Sequence, residues 1–371
     1  MLAIVGMLAG CASTPLPAPE SPAVTALAAP AAGLPGDNGP LPPVLIQPRA
    51  RWQPVRWAEL PGFADDALHE AWNAWLKSCE RPGPVFTALC PEVRRMSIAS
   101  GEEQRAWMMQ RLQPYRVEPL QGASDGLLTG YYEPLLLATR QPGAANQAPL
   151  YAPPSNLAQR RPWYTRQEID TLPEARAALR GREIAWLADP LDALVLQIQG
   201  SGRLRITEAD GSQRTVRLAF AASNDQPYRS VGGWLLQQGA LRDASWQGIR
   251  AWAQQNPQRV SEMLWSNPRM VFFREESLLD LDAGPRGAQG VALTPGRSIA
   301  VDKDSIPYGT PVWLASTGPA VSLQRLVLAQ DTGSAITGAV RADYFTGWGG
   351  EAGEVAGRLK QPLRLWVLWP R

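Results

Sequence analysis

The sequence predicts a mainly β protein: a small closed barrel toward the C-terminus, a β-rich segment before it, and several flanking helices. Three observations carry this. RSIAVD (297–302), PVWL (311–314), RLVLAQ (325–330) and RLWVLW (364–369) are short apolar runs closely punctuated by Gly and Pro, a spacing that suits a barrel better than a βαβ sheet. ALVLQIQGSGRLRITEADGSQRTVRLAF (193–220) reads as consecutive strands with Asp210-Gly211 at a hairpin turn. Residues 64–79 and 101–113 instead place apolar residues three and four apart, as amphipathic helices do.

From the N-terminus, MLAIVGMLAGCAST carries an apolar run too short to span a bilayer. Leu8-Ala9-Gly10-Cys11 resembles a bacterial lipobox, with Cys11 as the lipidation site. No Lys or Arg precedes the run, a departure that leaves the true start open. Ala12, rather than Asp, follows the cysteine and points to the outer membrane, facing the periplasm. Ten of the 35 prolines lie between Pro15 and Pro48, so residues 12–50 read as an extended tether. In an oxidising compartment CERPGPVFTALC leaves two options: Cys79 and Cys90 close a small disulfide loop, or they stay two buried thiols.

LLTGYYEPLLLA (127–138) reads as extended and aromatic, broken at Gly130. A polar stretch follows, a loop with one short helix. VGGWLLQQG and DASWQGIRAWAQQNPQRVSEMLWSN then read as helices, the latter broken at Asn256-Pro257. The last strand, RLWVLWP, is apolar on both faces and fits inside a barrel.

Composition narrows the chemistry. Thirty-six basic and 34 acidic residues give a net charge of +2 without a basic block, which argues against nucleic acid as a partner. The single histidine, His69, sits in a helical stretch and would have to carry any Ser-His-Asp triad or multi-histidine zinc site alone. The three cysteines lack metal-ligand spacing. No metal or other cofactor is expected, and the chemistry falls to carboxylates. Fifteen tryptophans either fill cores or stack on sugar rings.

VLAQDTGSAITGAVRADYF (327–345) ends a buried-looking strand in Asp331, with another aspartate, Asp343, twelve residues on. On residue logic alone Asp331 is either a turn-capping aspartate or an acid at the rim of a groove. Asp-Thr-Gly also occurs in aspartic proteases, but those need two such loops and only one is present.

LTGYYEP, VLQIQGSGRL, AFAASNDQPYRSVG, NPRMVFFRE, GVALTPGRSIAVDKDSIPYGTPVWL, AQDTGSAITGAVRADYF and AGEVAGRLKQPLRLWVL together resemble the membrane-bound lytic murein transglycosylase A family, from about residue 125 to 369. The C-terminal part is similar to the 3D module, whose three aspartates would be Asp302, Asp331 and Asp343. The resemblance implies a double-psi β-barrel domain (51–136 plus 236–371) with a second β-rich substrate-binding domain (137–235) inserted, and a groove between them. It implies an exolytic lyase that cleaves the β-1,4 bond between N-acetylmuramic acid and N-acetylglucosamine in peptidoglycan, leaving 1,6-anhydro ends.

The implied catalyst is Asp331, acting first as acid and then as base. Substrate contacts are expected from Thr129, Tyr131, Tyr132, Gln199, Ser201, Asn224, Tyr228, Gly333 and Asp343, whose hydroxyl, amide and aromatic groups match sugars. Arg203 or Arg229 is expected to meet a substrate carboxylate, and Asp302 to support a turn. Expected partners are glycan strands, the membrane through Cys11, and unidentified wall-remodelling proteins. Two rival readings are a non-catalytic expansin-like wall-binding protein, and an endoglycosidase using Asp331 with Asp343.

Overall fold

The computed structural model describes residues 37, 39–122, 126–278, 280–319 and 321–371. Cys11 and most of the 12–50 stretch lie outside the described residues.

The first elements are β1 (Leu45–Ile46), β2 (Ala50–Pro54), α1 (Leu68–Ser78), α2 (Cys90–Arg95), α3 (Gly101–Arg111), β3 (Leu112–Pro119) and β4 (Gly126–Glu133). The middle of the chain forms β5 (Leu135–Thr139), β6 (Ala148–Tyr151), α4 (Arg166–Thr171), α5 (Pro173–Leu179), β7 (Glu183–Leu187), α6 (Pro190–Gln199), β8 (Ser201–Thr207) and β9 (Gln213–Ser223). It continues through α7 (Val231–Gln237), α8 (Trp246–Gln255), α9 (Val260–Trp265) and β10 (Val271–Ser277). The last part supplies β11 (Ser298–Val301), β12 (Pro311–Thr317), β13 (Ser322–Asp331), β14 (Arg341–Trp348), α10 (Gly349–Arg358) and β15 (Lys360–Pro370).

Two sheets result. The larger runs β1-β2-β3-β15-β12-β13-β11-β14-β4, and an added β15–β4 pairing closes six of its strands into a ring. The smaller runs β10-β9-β8-β5-β7-β6. Its strands lie between 135 and 277, so it extends past the 137–235 expected from the resemblance and takes in β10, which follows the three helices α7–α9.

The apolar-on-both-faces strands have a simple cause. Alternation sends Leu365 and Val367 into the ring with Val312, Leu314, Val327 and Leu128. It sends Trp366 and Leu368 outward with Trp313, Leu326 and Leu328, onto a layer built by α1 and α3. In that layer Trp72, Trp75 and Trp107 meet with centroids 5.1–5.7 Å apart. Packing, not sugar stacking, accounts for these tryptophans.

One expectation fails locally. VLQIQ is not a strand but the body of α6. Asp189 caps it by accepting from the Leu191 amide at 2.8 Å, Pro190 opens its first turn, and Gly200 ends it in the left-handed region at φ +80°. A short apolar run does not distinguish helix from strand; here the cap did. The polar stretch likewise holds two short helices, α4 and α5, with Pro173 opening the second.

Of the two options for the cysteines, the disulfide is present: Cys79 and Cys90 are bonded, with Cα atoms 5.5 Å apart, joining the end of α1 to the start of α2. Replacing both by Ser is expected to cost about 2–3 kcal/mol, by freeing a short loop in the unfolded chain. Guanidinium titration of the double variant checks it.

Candidate active site

The register of the ring builds the site. Along β13, Val327 and Ala329 face the interior. Alternation alone would send Asp331 there too. An irregularity in the β11–β13 ladder breaks the pattern: Ile299 pairs with Ala329, but Ala300 pairs with Asp331. Bulges of this kind re-aim a side chain. Ala300 also pairs with Asp343, and Asp343 with Thr129. Asp331, Ala300, Asp343 and Thr129 therefore form one row across β13, β11, β14 and β4.

Tyr131, two residues beyond Thr129 on β4, shares its face and reaches across the row. Its hydroxyl donates to Asp331 Oδ2 at 2.9 Å, while the Ala288 backbone N–H donates to Oδ1 at 2.9 Å. Asp331 is half-buried, and the desolvation of its carboxyl pushes the pKa up to about 6. The Thr332 and Ala288 amides and the Tyr131 hydroxyl oppose that rise, and nearby Asp343 adds a like-charge push. Burial, then the charge and hydrogen bond of Asp331, hold the Tyr131 phenol well above its ordinary range, so it stays a donor.

Asp343 is the second half of the arrangement. Thr129 Oγ1 donates to its Oδ1 at 2.5 Å and accepts from Arg341 Nη2 at 2.8 Å. Burial raises the Asp343 carboxyl, against the Thr129 hydrogen bond and the Arg341 charge. Tyr131 thus contacts Asp331 and Thr129 contacts Asp343, and the ladder sets the two pairs along one row. Gly333 follows in the partly exposed turn after Asp331.

Tyr132 and Gln199 meet at the crossing between sheets, where Gln199 Oε1 accepts from the Tyr132 amide at 3.0 Å. The Tyr132 ring packs on α10, where a Cβ on Gly353 would lie 2.8 Å from it. Ser201, at the start of β8, is buried.

The remaining candidates lie elsewhere. Asn224 is buried and spends its amide on the chain itself, donating to the carbonyls of Tyr164 and Pro268 at 2.9 Å and accepting from the Met270 amide at 2.8 Å. Tyr228 is half-buried just ahead of α7. Arg229 lines a separate cavity of about 570 Å³ with Thr165, Trp234 and Trp265. Arg203, expected to meet a substrate carboxylate, is instead buried against the protein's own Glu133 at 2.8 Å. Asp302 holds turns, accepting from the amides of Asp304 and Gly338.

Sequence reasoning missed the 284–292 loop. Its contribution to Asp331 is a backbone N–H, which has no residue signature. The one signal is Gly287: a Cβ there would sit 2.4 Å from the Gln330 carbonyl oxygen and 3.2 Å from Asp331 Cβ, so only glycine lets the loop run this close.

Known proteins place the chain in context. The family model of the MltA specific insert domain matches residues 127–274, and that of the 3D domain residues 297–369. Membrane-bound lytic murein transglycosylase A of Escherichia coli strain K12 is 31% identical over 282 residues, 73% of each chain. The protein of that name from Vibrio cholerae is 30% identical over 254 residues, 65% of each chain, so just under two thirds of its length is spanned. Among solved structures, lytic transglycosylase LtgG of Burkholderia pseudomallei is 42% identical with TM-score 0.59, covering 90% of this chain and 98% of that one. MltA from Neisseria gonorrhoeae is 30% identical with TM-score 0.73, covering 90% and 96%. E. coli MltA with bound chitohexaose is 26% identical with TM-score 0.67, covering 88% and 93%.

Proposed function

This chain belongs to the membrane-bound lytic murein transglycosylase A family, and from that premise we propose that it is an enzyme cleaving the β-1,4 bond between N-acetylmuramic acid and N-acetylglucosamine in peptidoglycan. The muramic C6 hydroxyl attacks C1 of its own ring, and the product carries a 1,6-anhydro end. A well-oriented intramolecular nucleophile is worth an effective concentration of up to ~10⁵–10⁸ M, so no water needs activating.

One carboxyl then serves twice. Asp331, protonated, gives its proton to the departing glycosidic oxygen; as carboxylate it takes the proton of the attacking C6 hydroxyl. The observation that carries this reading is the Asp331 carboxyl itself, half-buried, held by Tyr131 and Ala288 and raised to about 6. Such a group exchanges protons near neutral pH. Asp343, bound by Thr129 and close to Arg341, would serve as a fixed acceptor for sugar hydroxyls. We take the six-stranded ring as a double-psi β-barrel, the smaller sheet as the inserted substrate-binding unit, and the space between them as the glycan groove. The chitohexaose bound to E. coli MltA is a glycan of matching linkage chemistry.

Attachment is proposed through a lipid on Cys11, with the enzyme facing the periplasm from the outer membrane. Among the described residues no helix is long and apolar enough to cross a membrane.

Digestion of purified murein, with products weighed by mass spectrometry, tests the reaction. Anhydro-muropeptides, each one water lighter than a hydrolysis product, are expected. Reducing ends would favour the two-carboxylate glycosidase, and undigested murein the binding protein.

A further inference from the structure

The residue before Asp331 is as constrained as Asp331 itself. Gln330 is fully buried between β13 and α1. Its Oε1 accepts from Ser298 Oγ at 2.5 Å; its Nε2 donates to the Ala74 carbonyl and to Ser78 Oγ, both at 2.8 Å. Ser78 Oγ in turn donates to Gln289 Oε1 at 3.2 Å. Gln289 Nε2 donates to the carbonyls of Ser78 at 3.3 Å and Arg81 at 3.1 Å. The circuit closes through the main chain, where the Gln289 N–H donates to the Gln330 carbonyl at 3.0 Å.

Every amide group in this circuit is used. Gln289 is therefore gripped at side chain and backbone at once, one residue after the Ala288 N–H that meets Asp331. Within the loop, Gly287 accepts from Gly290 and donates to Val291, and Arg286 pairs with Ala292 and donates to the Gly290 carbonyl; nothing else in the circuit reaches Ala288.

Resting on the activity proposed above, we infer that Gln289, supported by Ser78 and Gln330, is a positioning residue: it clamps the 284–292 loop to the end of α1 so that the Ala288 N–H stays aimed at Asp331. The anchor is firm because Ser78 immediately precedes Cys79, whose disulfide fixes the end of the helix. The donor that this clamp holds favours the carboxylate form of Asp331. Losing it shifts the balance toward the acid. The groups that titrate around Asp331 are Tyr131 from β4, Asp343 from β14 and Tyr308 from the turn before β12; the side-chain hydrogen bonds of Gln289 run instead to Ser78 and Arg81.

Gln289 is only half-buried and in a loop, so Gln289→Ala is expected to fold. The alkaline limb of its kcat/KM profile should move up by about one pH unit, the worth of one backbone donor to a carboxylate. Its kcat should fall roughly tenfold, because a carboxyl whose conjugate base is less well held gives its proton to the departing oxygen less readily, with KM within twofold. The Asp331 carboxyl, titrated by ¹³C NMR without substrate, should shift in the same direction, and Ser78→Ala should reproduce both changes. An unmoved carboxyl titration in folded Gln289→Ala overturns the inference, even if turnover falls. If wild-type protein released no anhydro product the proposed activity would be lost, yet the NMR titration would still decide the clamp.

Discussion

Asp331→Asn is expected to lose about 10³-fold or more in kcat, within the range for removing a positioned acid–base group, while gaining stability at neutral pH. The two effects share one cause. Burial raises the Asp331 carboxyl from the usual 3.8 to about 6, so the folded state holds a proton that the unfolded state releases. Below pH 3.8 both states are protonated and the group costs nothing. The cost accrues as pH rises from there to about 6, and is complete above it. It amounts to about 2–3 kcal/mol, and asparagine, uncharged, does not carry it. The amide oxygen of Asn can still accept from Ala288, and its nitrogen can donate to the Tyr131 oxygen, so the fold keeps its contacts. Loss of anhydro-product release together with a higher guanidinium midpoint at pH 7.5, and no gain at pH 3.5, is the expected signature. A turn-capping aspartate behaves oppositely, with activity retained and stability falling on substitution. The wild-type profile follows from the same group: kcat/KM should decline above pH 6 as the resting acid is lost.

The legible parts of this molecule are those where one local rule was enough. Asn256-Pro257 ended a helix where a proline must, and the paired apolar faces of RLWVLW announced a strand enclosed on both sides. The α6 helix was misread because so short an apolar run fits either period, and the deciding signal was the Asp189-Pro190 that precedes it. The site was half visible. Asp331 stood out as a carboxylate ending an apolar strand, Asp343 as a second one twelve residues on, and Thr129 and Tyr131 as hydroxyl groups in an extended, aromatic stretch. The bulge that swings Asp331 onto their face depends on how β11 pairs with β13, which no window of sequence records. Asn224 misled for the complementary reason. An amide among turn residues looks free in sequence, and only tertiary contacts reveal that backbone groups consume it.

Glu133 carries the largest expected effect on stability. It is wholly buried at the end of β4, where the chain leaves the ring for the smaller sheet. Arg203 Nε donates to its Oε2 at 2.8 Å and Arg217 Nε to its Oε1 at 2.5 Å. The same guanidinium groups donate onward to the carbonyls of Leu281 and Ala283, where the chain returns toward the 284–292 loop. The Trp348 ring covers Arg203 with its centroid 4.1 Å away. Glu133→Ala strands two buried cations and should destabilise by about 3–5 kcal/mol, measured by guanidinium unfolding. Replacing all three charges with apolar residues of similar volume should recover most of that, because desolvation of the ions disappears with them. It should not recover activity, since Leu281 and Ala283 then lose the donors that fix the return of the chain beside Asp331. A triple variant as stable as wild type and equally active would show that the cluster supplies charge balance alone; stable and slow is the expected result, because the arginines bind the two crossings of the chain as well as each other's counter-ion.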